Sequence, residues 1–494
     1  MKKYAHLLLL WCLLPFTSLQ AQTDTAYIYT FGGQNMDQCR SVIYTLDKGL
    51  LLTGTTASFG KGTSDIYLVK LDSMRQLAWS KTIGSPNVER GFSALQLADS
   101  NYLIAGFTNS SPAGDYDAYL VKINNQGDTL WTRRYGGADW DFAYSLCALA
   151  DGGFAFTGET FSDGNSTPDL FLTRIDSSGE TLWTKTWGGN GVDIGHQIIA
   201  PSDTSIAIIG QTGSFGNGSD DVWLLCLNLN GDTLWTKTYG DTASNIGYGL
   251  TYTSDHRFVL TGGGYPVQNG FGQKDAFMTT TDSLGNIIWS GNIGSGGNDE
   301  GRAVTELDNG NYVLSGISNS DGSGGYGMYY IYMHHDSWFL TGATFGGNLQ
   351  EEGYSISYRD HLHLAMAGST TSFGQGLEDM YLVELDTLLA NFQIQNSFVN
   401  DPLSIGPLYN YIEGNGSLYP NPFREEARLH FNRTNGSTHA ILSIFNTLGE
   451  CVRQEEMIGS ELVLQRKNLV PGLYFFSIRD NQQILYQGRF LIQP

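Results

Sequence analysis

The chain has 494 residues and a formal charge of −22, from 27 Lys and Arg against 49 Asp and Glu. Gly supplies 62 positions, aromatic residues 13% and charged residues 15%. This excludes a disordered chain, which would lack the aromatics, a helical bundle, where each interior Gly costs about 1 kcal/mol, and a nucleic-acid binder, which needs a basic surface. What remains is an aromatic, Gly-punctuated, all-β protein.

Residues 1–21 have the pattern of a secretory signal peptide: Lys2 and Lys3, the apolar run from Leu7 to Pro15, and the cleavage-type end Leu19-Gln20-Ala21. That run is too short to anchor in a bilayer, and no other reaches 18 apolar residues. The mature chain is therefore expected to lack a transmembrane anchor. It keeps Cys39, Cys147, Cys226 and Cys451, far apart and without a Cys-x-x-Cys spacing. They read as isolated thiols rather than a disulfide framework or a zinc site. From Ser417 onward there are 8 basic and 7 acidic residues, so a charge of −25 falls on 23–416. Such an offset suggests separate domains.

Self-comparison finds seven copies of one unit between the two ends. A marker Gly recurs at Gly32, Gly84, Gly136, Gly188, Gly240, Gly294 and Gly346, with one spacing of 54 and the others 52. A second Gly tracks it at Gly54, Gly106, Gly158, Gly210, Gly262, Gly316 and Gly368. A third marker is Asp65, Asp117, Asp169, Asp221, Asp275 and Asp379, with Gly327 in the sixth unit. The two extra residues of the fifth unit lie between Gly262 and Asp275, in a loop around Gly263-Gly264-Tyr265-Pro266.

Each unit reads as four short strands. In the third they are Ala143–Leu149, Phe154–Gly158, Leu170–Ile175 and Thr181–Trp187. Four antiparallel strands per repeat predict a seven-bladed β-propeller over 22–395. The fourth strand carries Trp79, Trp131, Trp183, Trp235 and Trp289, with Thr341 in the sixth unit. Counting back one repeat from Trp79 reaches Tyr27, so the N-terminal strand is expected to complete the last blade. The competing closure uses 389–394. The repeat, seen in Asp65-Ile66-Tyr67-Leu68-Val69-Lys70-Leu71-Asp72 and Gly231-Asp232-Thr233-Leu234-Trp235, resembles bacterial β-propeller repeats over about 32–386. The resemblance implies fold and leaves function open.

Five residues after each marker Gly stand Asp37, Glu89, Asp141, Asp193, Asn245, Asp299 and Glu351. At a propeller's channel mouth they would form a ring for a ligand or a hard cation such as Ca²⁺. The bland reading is that each carboxylate binds backbone N–H groups of its own turn. No other cofactor and no other metal site is expected. Two residues further on come small residues, Cys39 to Gly353, as crowding of converging strands requires. Next to them stand Arg40, Phe92, Tyr144, His196, Tyr248, Arg302 and Tyr354, read as inter-blade packing or as the lining of a ligand mouth. Loops such as Ser58-Phe59-Gly60, Ser214-Phe215-Gly216 and Ser372-Phe373-Gly374 offer aromatics for sugar stacking, or plug the blade edge. Nine His are scattered, His334-His335 adjacent and His361 and His363 read on one strand face, without a His-Glu-x-x-His. No residue is assigned as catalytic.

After a linker at 396–416 comes Tyr419-Pro420-Asn421-Pro422-Phe423, then strands, an Asn446-x-x-Gly449 turn, Pro471-Gly472-Leu473-Tyr474 and a final strand at Gly488–Ile492. Here the chain resembles the C-terminal sorting domain of the type IX secretion system of Bacteroidetes, over 417–494. The motif positions are Tyr419, Pro420, Asn421, Pro422, Gly472 and Tyr474. The resemblance implies a small C-terminal β-sandwich (Ig-like), export by the type IX machinery, and a secreted or outer cell-surface location. A single basic residue, Arg489, near the end departs from members richer in Lys. The function expected is a secreted β-propeller binding module for a polysaccharide or protein ligand. The alternative is an extracellular endoglucanase-like glycoside hydrolase, and the third reading is a non-catalytic adhesion protein.

Overall fold

The computed structural model describes residues 25–110, 115–265, 274–294, 296–319, 325–336, 339–360, 363–385, 393–398, 416–419, 423–431, 439–445, 451–458, 461–480 and 483–492. The signal-peptide reading at 1–21, Pro420 to Pro422, His361 and the Asn446-x-x-Gly449 turn lie outside them. Among the described residues there are strands and no helix, and so no helix long and apolar enough to cross a membrane. The chain divides into two compact units, up to Asn400 and from Asp401.

The first unit is a seven-bladed β-propeller. Blade 1 comprises Asp37–Tyr44, Leu50–Thr56, Asp65–Leu71 and Leu77–Ile83, hydrogen-bonded in that order, and five more four-stranded sheets repeat it. Blade 3 consists of Asp141–Ala148, Phe154–Thr160, Asp169–Ile175 and Thr181–Trp187. Its inner strand starts two residues before the expected Ala143, because Asp141 already pairs with Thr160. Second and third strands are buried almost end to end, as Leu50–Thr56 and Asp65–Leu71 show, because adjacent blades cover both faces. Fourth strands such as Thr181–Trp187 and Thr233–Tyr239 are exposed or half-buried throughout and form the rim. The apolar clusters bridge blades: Leu170 and Leu172 of blade 3 pack with Ile198, Ile206, Ile208 and Leu225 of blade 4. Each such side chain contributes roughly 1.5–3 kcal/mol by leaving water, so the adhesive runs around the ring.

Blade 7 shows how the circle closes. Its third strand, Asp379–Leu385, pairs antiparallel with Thr25–Phe31, from Ala26 opposite Leu385 to Phe31 opposite Met380. The N-terminal strand is thus the fourth strand of the last blade. Gln393–Phe398 adds a fifth strand outside it, parallel to Thr25–Phe31. This strand reaches three residues into the span read as linker. Blades 7 and 1 are further joined through Glu384, which accepts from the Tyr44 hydroxyl (2.8 Å) and forms a buried ion pair with Arg75.

The second unit holds two sheets. One contains Gly416–Tyr419, Glu426–Phe431 and Glu461–Gln465; the other contains Cys451–Ile458, His439–Phe445, Gly472–Asp480 and Gln483–Ile492. One core joins them: Ala427, Leu429 and Leu464 from the first, with Leu442, Ile444, Phe476, Ile478 and Phe490 from the second. Tyr474 is buried in that core, stacked on Phe490 at 5.5 Å, and its hydroxyl donates to Val470 O (2.9 Å). Phe423 also packs on Phe490.

Candidate functional site

The acidic residues read as a ring sit inside the inter-blade turns. Asp37, Glu89, Asp141, Asp193, Asp299 and Glu351 are at most 4% exposed, and Asn245 is half-buried. The backbone N–H four residues earlier donates to the carboxylate: Gly33 to Asp37 (2.7 Å), Ser85 to Glu89 (2.9 Å), Gly137 to Asp141 (2.8 Å), Gly189 to Asp193 (3.0 Å) and Gly347 to Glu351 (2.8 Å). A hydroxyl from the loop after the second strand, or from that strand's end, donates too: Ser58 (2.6 Å), Thr108 (2.7 Å), Ser162 (2.8 Å), Ser214 (2.5 Å) and Thr370 (2.8 Å). One oxygen of Asp37 and one of Asp193 keep no hydrogen-bond partner among the described residues, while these carboxylates tie two loops of one face together. A sequence signal for this exists. Thr56 and Ser58, Thr108 and Ser110, Thr160 and Ser162, Thr212 and Ser214, and Thr370 and Ser372 accompany the acids, whereas Asn245 is accompanied by Gly264 and Pro266.

The third-strand aspartates approach the same turns from the preceding blade. A Cβ on Gly32 would lie 1.8 Å from Asp379 Oδ1 and 2.8 Å from Asp37 Oδ2, so two carboxylates press on one glycine. Gly84 stands likewise between Asp65 and Glu89, and Gly188 between Asp169 and Asp193. Burial pushes Asp379 up to about 7, with N–H bonds from Gly376 and Gln375 opposing and the charge of Asp37 adding to the rise. The repeat-marking glycines are therefore required by close approach. The second series shows the same: a Cβ on Gly54 would sit 1.8 Å from Gln38 O.

The position next to the small residues proves to be the unusual one. All seven inner strands carry a β-bulge there: the register skips from Cys39 to Ser41, Gly91 to Ser93, Ala143 to Ser145, Gly195 to Gln197, Gly247 to Gly249, Gly301 to Ala303 and Gly353 to Ser355. A bulge re-aims the unpaired side chain. The seven side chains so released meet in a closed belt. The Arg40 guanidinium lies 5.9 Å from the Phe92 ring centroid, Phe92 5.2 Å from Tyr144, Tyr144 6.3 Å from His196 and His196 5.1 Å from Tyr248. Arg302 lies 4.0 Å from Tyr248 and 5.8 Å from Tyr354, and Arg40 returns to Tyr354 at 4.0 Å. Burial lowers His196 to about 4, opposed by its bond to Gln211 and helped by Arg302, so its imidazole is neutral in the belt at ordinary pH.

Above the belt the mouth has two unlike sides. Over blades 2 and 3 it is aromatic: Phe142 stacks on Tyr144, Phe107 meets Phe142 at 4.8 Å, and Trp140 meets Tyr116 at 5.6 Å and Phe161 at 6.0 Å. Trp140 is 48% exposed. Across blades 5, 6, 7 and 1 it is charged. Glu300 pairs with Lys274 (2.5 Å) and Arg302, the Tyr354 hydroxyl donates to Glu352, and Gln38 donates to Glu378 (2.9 Å). Arg90 is exposed beside Phe107. The loop phenylalanines instead pack on third-strand aromatics: Phe59 on Tyr67, Phe215 on Trp223 and Phe373 on Tyr381. Cys39, Cys147 and Cys226 are free thiols; burial pushes Cys39 and Cys147 up to about 12 and Cys226 to about 11.

Residues 417–493 match the Secretion system C-terminal sorting domain family. By this address the protein is exported through type IX secretion and reaches the outside of the cell and its surface. The chain is also similar to the regulatory protein FlaEY of Caulobacter vibrioides, 29% identical over 181 residues, covering 31% of this chain and 19% of that protein. The chain thus spans about a fifth of that relative's length. Among solved structures it is similar to PorZ, an essential bacterial surface component of the type IX secretion system of Porphyromonas gingivalis, at 12% identity, 94% and 60% coverage and a TM-score of 0.41. It is also similar to the Neurospora crassa Pan2 WD40 domain, at 9% identity, 72% and 91% coverage and a TM-score of 0.46.

Proposed function

We propose that the propeller is a surface-displayed binding module that takes a polysaccharide at this mouth. The observation that carries the reading is the exposed Trp140, backed by Tyr116, Phe142 and Phe161, with Arg90 over Phe107 on the same side and the Glu300–Arg302 pair on the other side of the mouth. A sugar ring offers C–H faces for stacking on a rigid aromatic and hydroxyls for convergent polar groups, which is the composition of a ligand site. The bulge belt beneath holds the floor in one geometry.

The test is a glycan array with a reducing-sugar assay on the mature chain and on Trp140→Ala. Binding to one glycan class, weakened by at least about tenfold in Trp140→Ala, supports the reading; loss of an aromatic anchor costs about 2 kcal/mol or more. Equal binding by both proteins, or retention of a protein ligand alone, overturns it. Sugar release abolished by Glu300→Gln or Glu352→Gln makes the protein a glycoside hydrolase instead.

A further inference from the structure

The turn between third and fourth strands follows one design in blades 1 to 5. It opens on Asp72, Asn124, Asp176, Asn228 or Asp282. The side-chain oxygen of that residue accepts nearby backbone N–H groups: Asp72 from Met74 (2.8 Å) and Gln76 (2.9 Å), Asp282 from Leu284 (2.9 Å) and Asn286 (2.8 Å). This is the capping role expected of short polar side chains in turns.

Blade 6 departs from it. The equivalent residue is His334, followed by His335 and Asp336. His334 Nδ1 takes over the cap and accepts the Asp336 N–H at 3.2 Å. A metal at Nδ1 would take the lone pair that accepts the Asp336 N–H, so binding there replaces that bond. The turn has a second anchor: the His335 N–H donates to Asn311 Oδ1 (3.0 Å), and buried Asn311 in turn donates to the Tyr332 hydroxyl (2.8 Å).

The result is three donor side chains gathered at one exposed point. His334 Nδ1 lies 3.5 Å from Asp336 Oδ2, and His335 Nε2 lies 3.4 Å from Asp336 Oδ1. The ligand atoms of all three residues fall within 4.8 Å of one another. Two ligands held at about 2.0–2.1 Å by a tetrahedral ion are roughly 3.3–3.4 Å apart, which the His–Asp separations already approach, while the widest pair has up to about 1.4 Å to close. Among the described residues this is the one group of three or more His, Cys, Asp or Glu side chains so placed.

We propose that the His334-His335-Asp336 turn is a binding site for a borderline divalent transition ion of the Zn²⁺ class. Two imidazoles and one carboxylate occupy three positions and leave the fourth open to water or to a donor from another molecule. Nitrogen donors in the majority disfavour Ca²⁺ and Mg²⁺, which take oxygen.

The experiment is calorimetric titration of the metal-stripped mature chain with Zn²⁺, set beside His334→Asn, His335→Gln and Asp336→Asn. His334→Asn restores the cap that Asn124 and Asn228 provide in other blades, so it removes a ligand while keeping the turn. Circular dichroism confirms that each variant is folded. The expected result is one Zn²⁺ equivalent in the parent that is lost, or weakened at least about tenfold, in all three variants, with Ca²⁺ unable to compete. Unchanged stoichiometry and affinity in His334→Asn and His335→Gln, or equal competition by Ca²⁺, overturns the proposal.

Discussion

From blade 1 to blade 5, each blade leans on the next through a tryptophan and a glycine; the seam between blades 5 and 6 is built differently. A Cβ on Gly127, Gly179, Gly231 or Gly285 would lie within 3.0 Å of Trp79, Trp131, Trp183 or Trp235 of the preceding blade, and all four glycines have positive φ. The Trp79 and Trp183 indoles also donate to the next blade, at Asn125 O and Leu229 O. Trp289 instead lies over Gly291 of its own strand. There a groove of about 510 Å³ opens, lined among others by Trp289, Tyr329, Tyr330, Met333 and Phe339. Blade 6 also replaces the third-strand Asp by Gly327, the Trp by Thr341 and the turn cap by His334. Blade 6 is held to blade 5 without the outer latch, by the apolar cluster of Val259, Met278, Val304, Tyr312, Leu314 and Met333.

The largest effect is expected at the glycines that all blades share. Gly210→Ala and Gly316→Ala place a methyl 1.8 Å from Ile194 O and 1.9 Å from Glu300 O. Each should cost about 3 kcal/mol or more, read as a fall in the thermal midpoint. A tolerated Gly316→Ala beside an intolerant Gly210→Ala would mean that blade 6 departs at its inner strands too. The outer latch gives the next effect: Trp235→Ala should cost about 2–3 kcal/mol and Trp289→Ala about 1 kcal/mol. Equal losses would erase the distinction between the two seams.

A further effect concerns the paired carboxylates. Asp379 has its pKa raised in the fold, so the native state holds a proton that the unfolded chain releases near pH 4. Its stabilising contribution is therefore complete below about pH 4 and is lost as the pH rises through about 7. Asp379→Asn mimics the protonated form and should raise stability at pH 8 by roughly 1–2 kcal/mol, while flattening the fall between pH 5 and 8. A parallel shift of both proteins across that range would show that Asp379 is ionised throughout.

The repeat spacing made the blade number legible, and Tyr27, one period before Trp79, pointed to the strand that closes the circle. Constant glycines are legible because a methyl at Gly54 or Gly106 would strike a neighbouring carbonyl oxygen. The belt was not legible to the same degree. Alternation puts Arg40 and Tyr354 on the other strand face from Cys39 and Gly353, but the extra residue that turns them inward follows from seven strands converging, which no single strand's pattern carries. The acids illustrate a different gap. Asp37 has the same neighbours in sequence whether it faces the channel or its own turn, and its bonds to Gly33 and Ser58 are visible only in the fold. The aromatic side of the mouth joins Phe107 and Tyr116 of blade 2 to Trp140 and Phe142 of blade 3, and only packing brings those together.

The pairing of Thr25–Phe31 with Asp379–Leu385 carries a kinetic consequence. The clasp is synthesised first and its slot last, so the ring stays open until nearly the whole repeat array has emerged. Closure must bring together the most distant segments of the propeller, the kind of contact that forms slowly. Until then the first strand and the seventh blade each present an unpaired edge, the feature that drives strands of different molecules together. For a protein that leaves the cell, the interval between emergence and clasping is when it is most exposed to misassembly, and the length of that interval is set by the first seven residues of the folded ring.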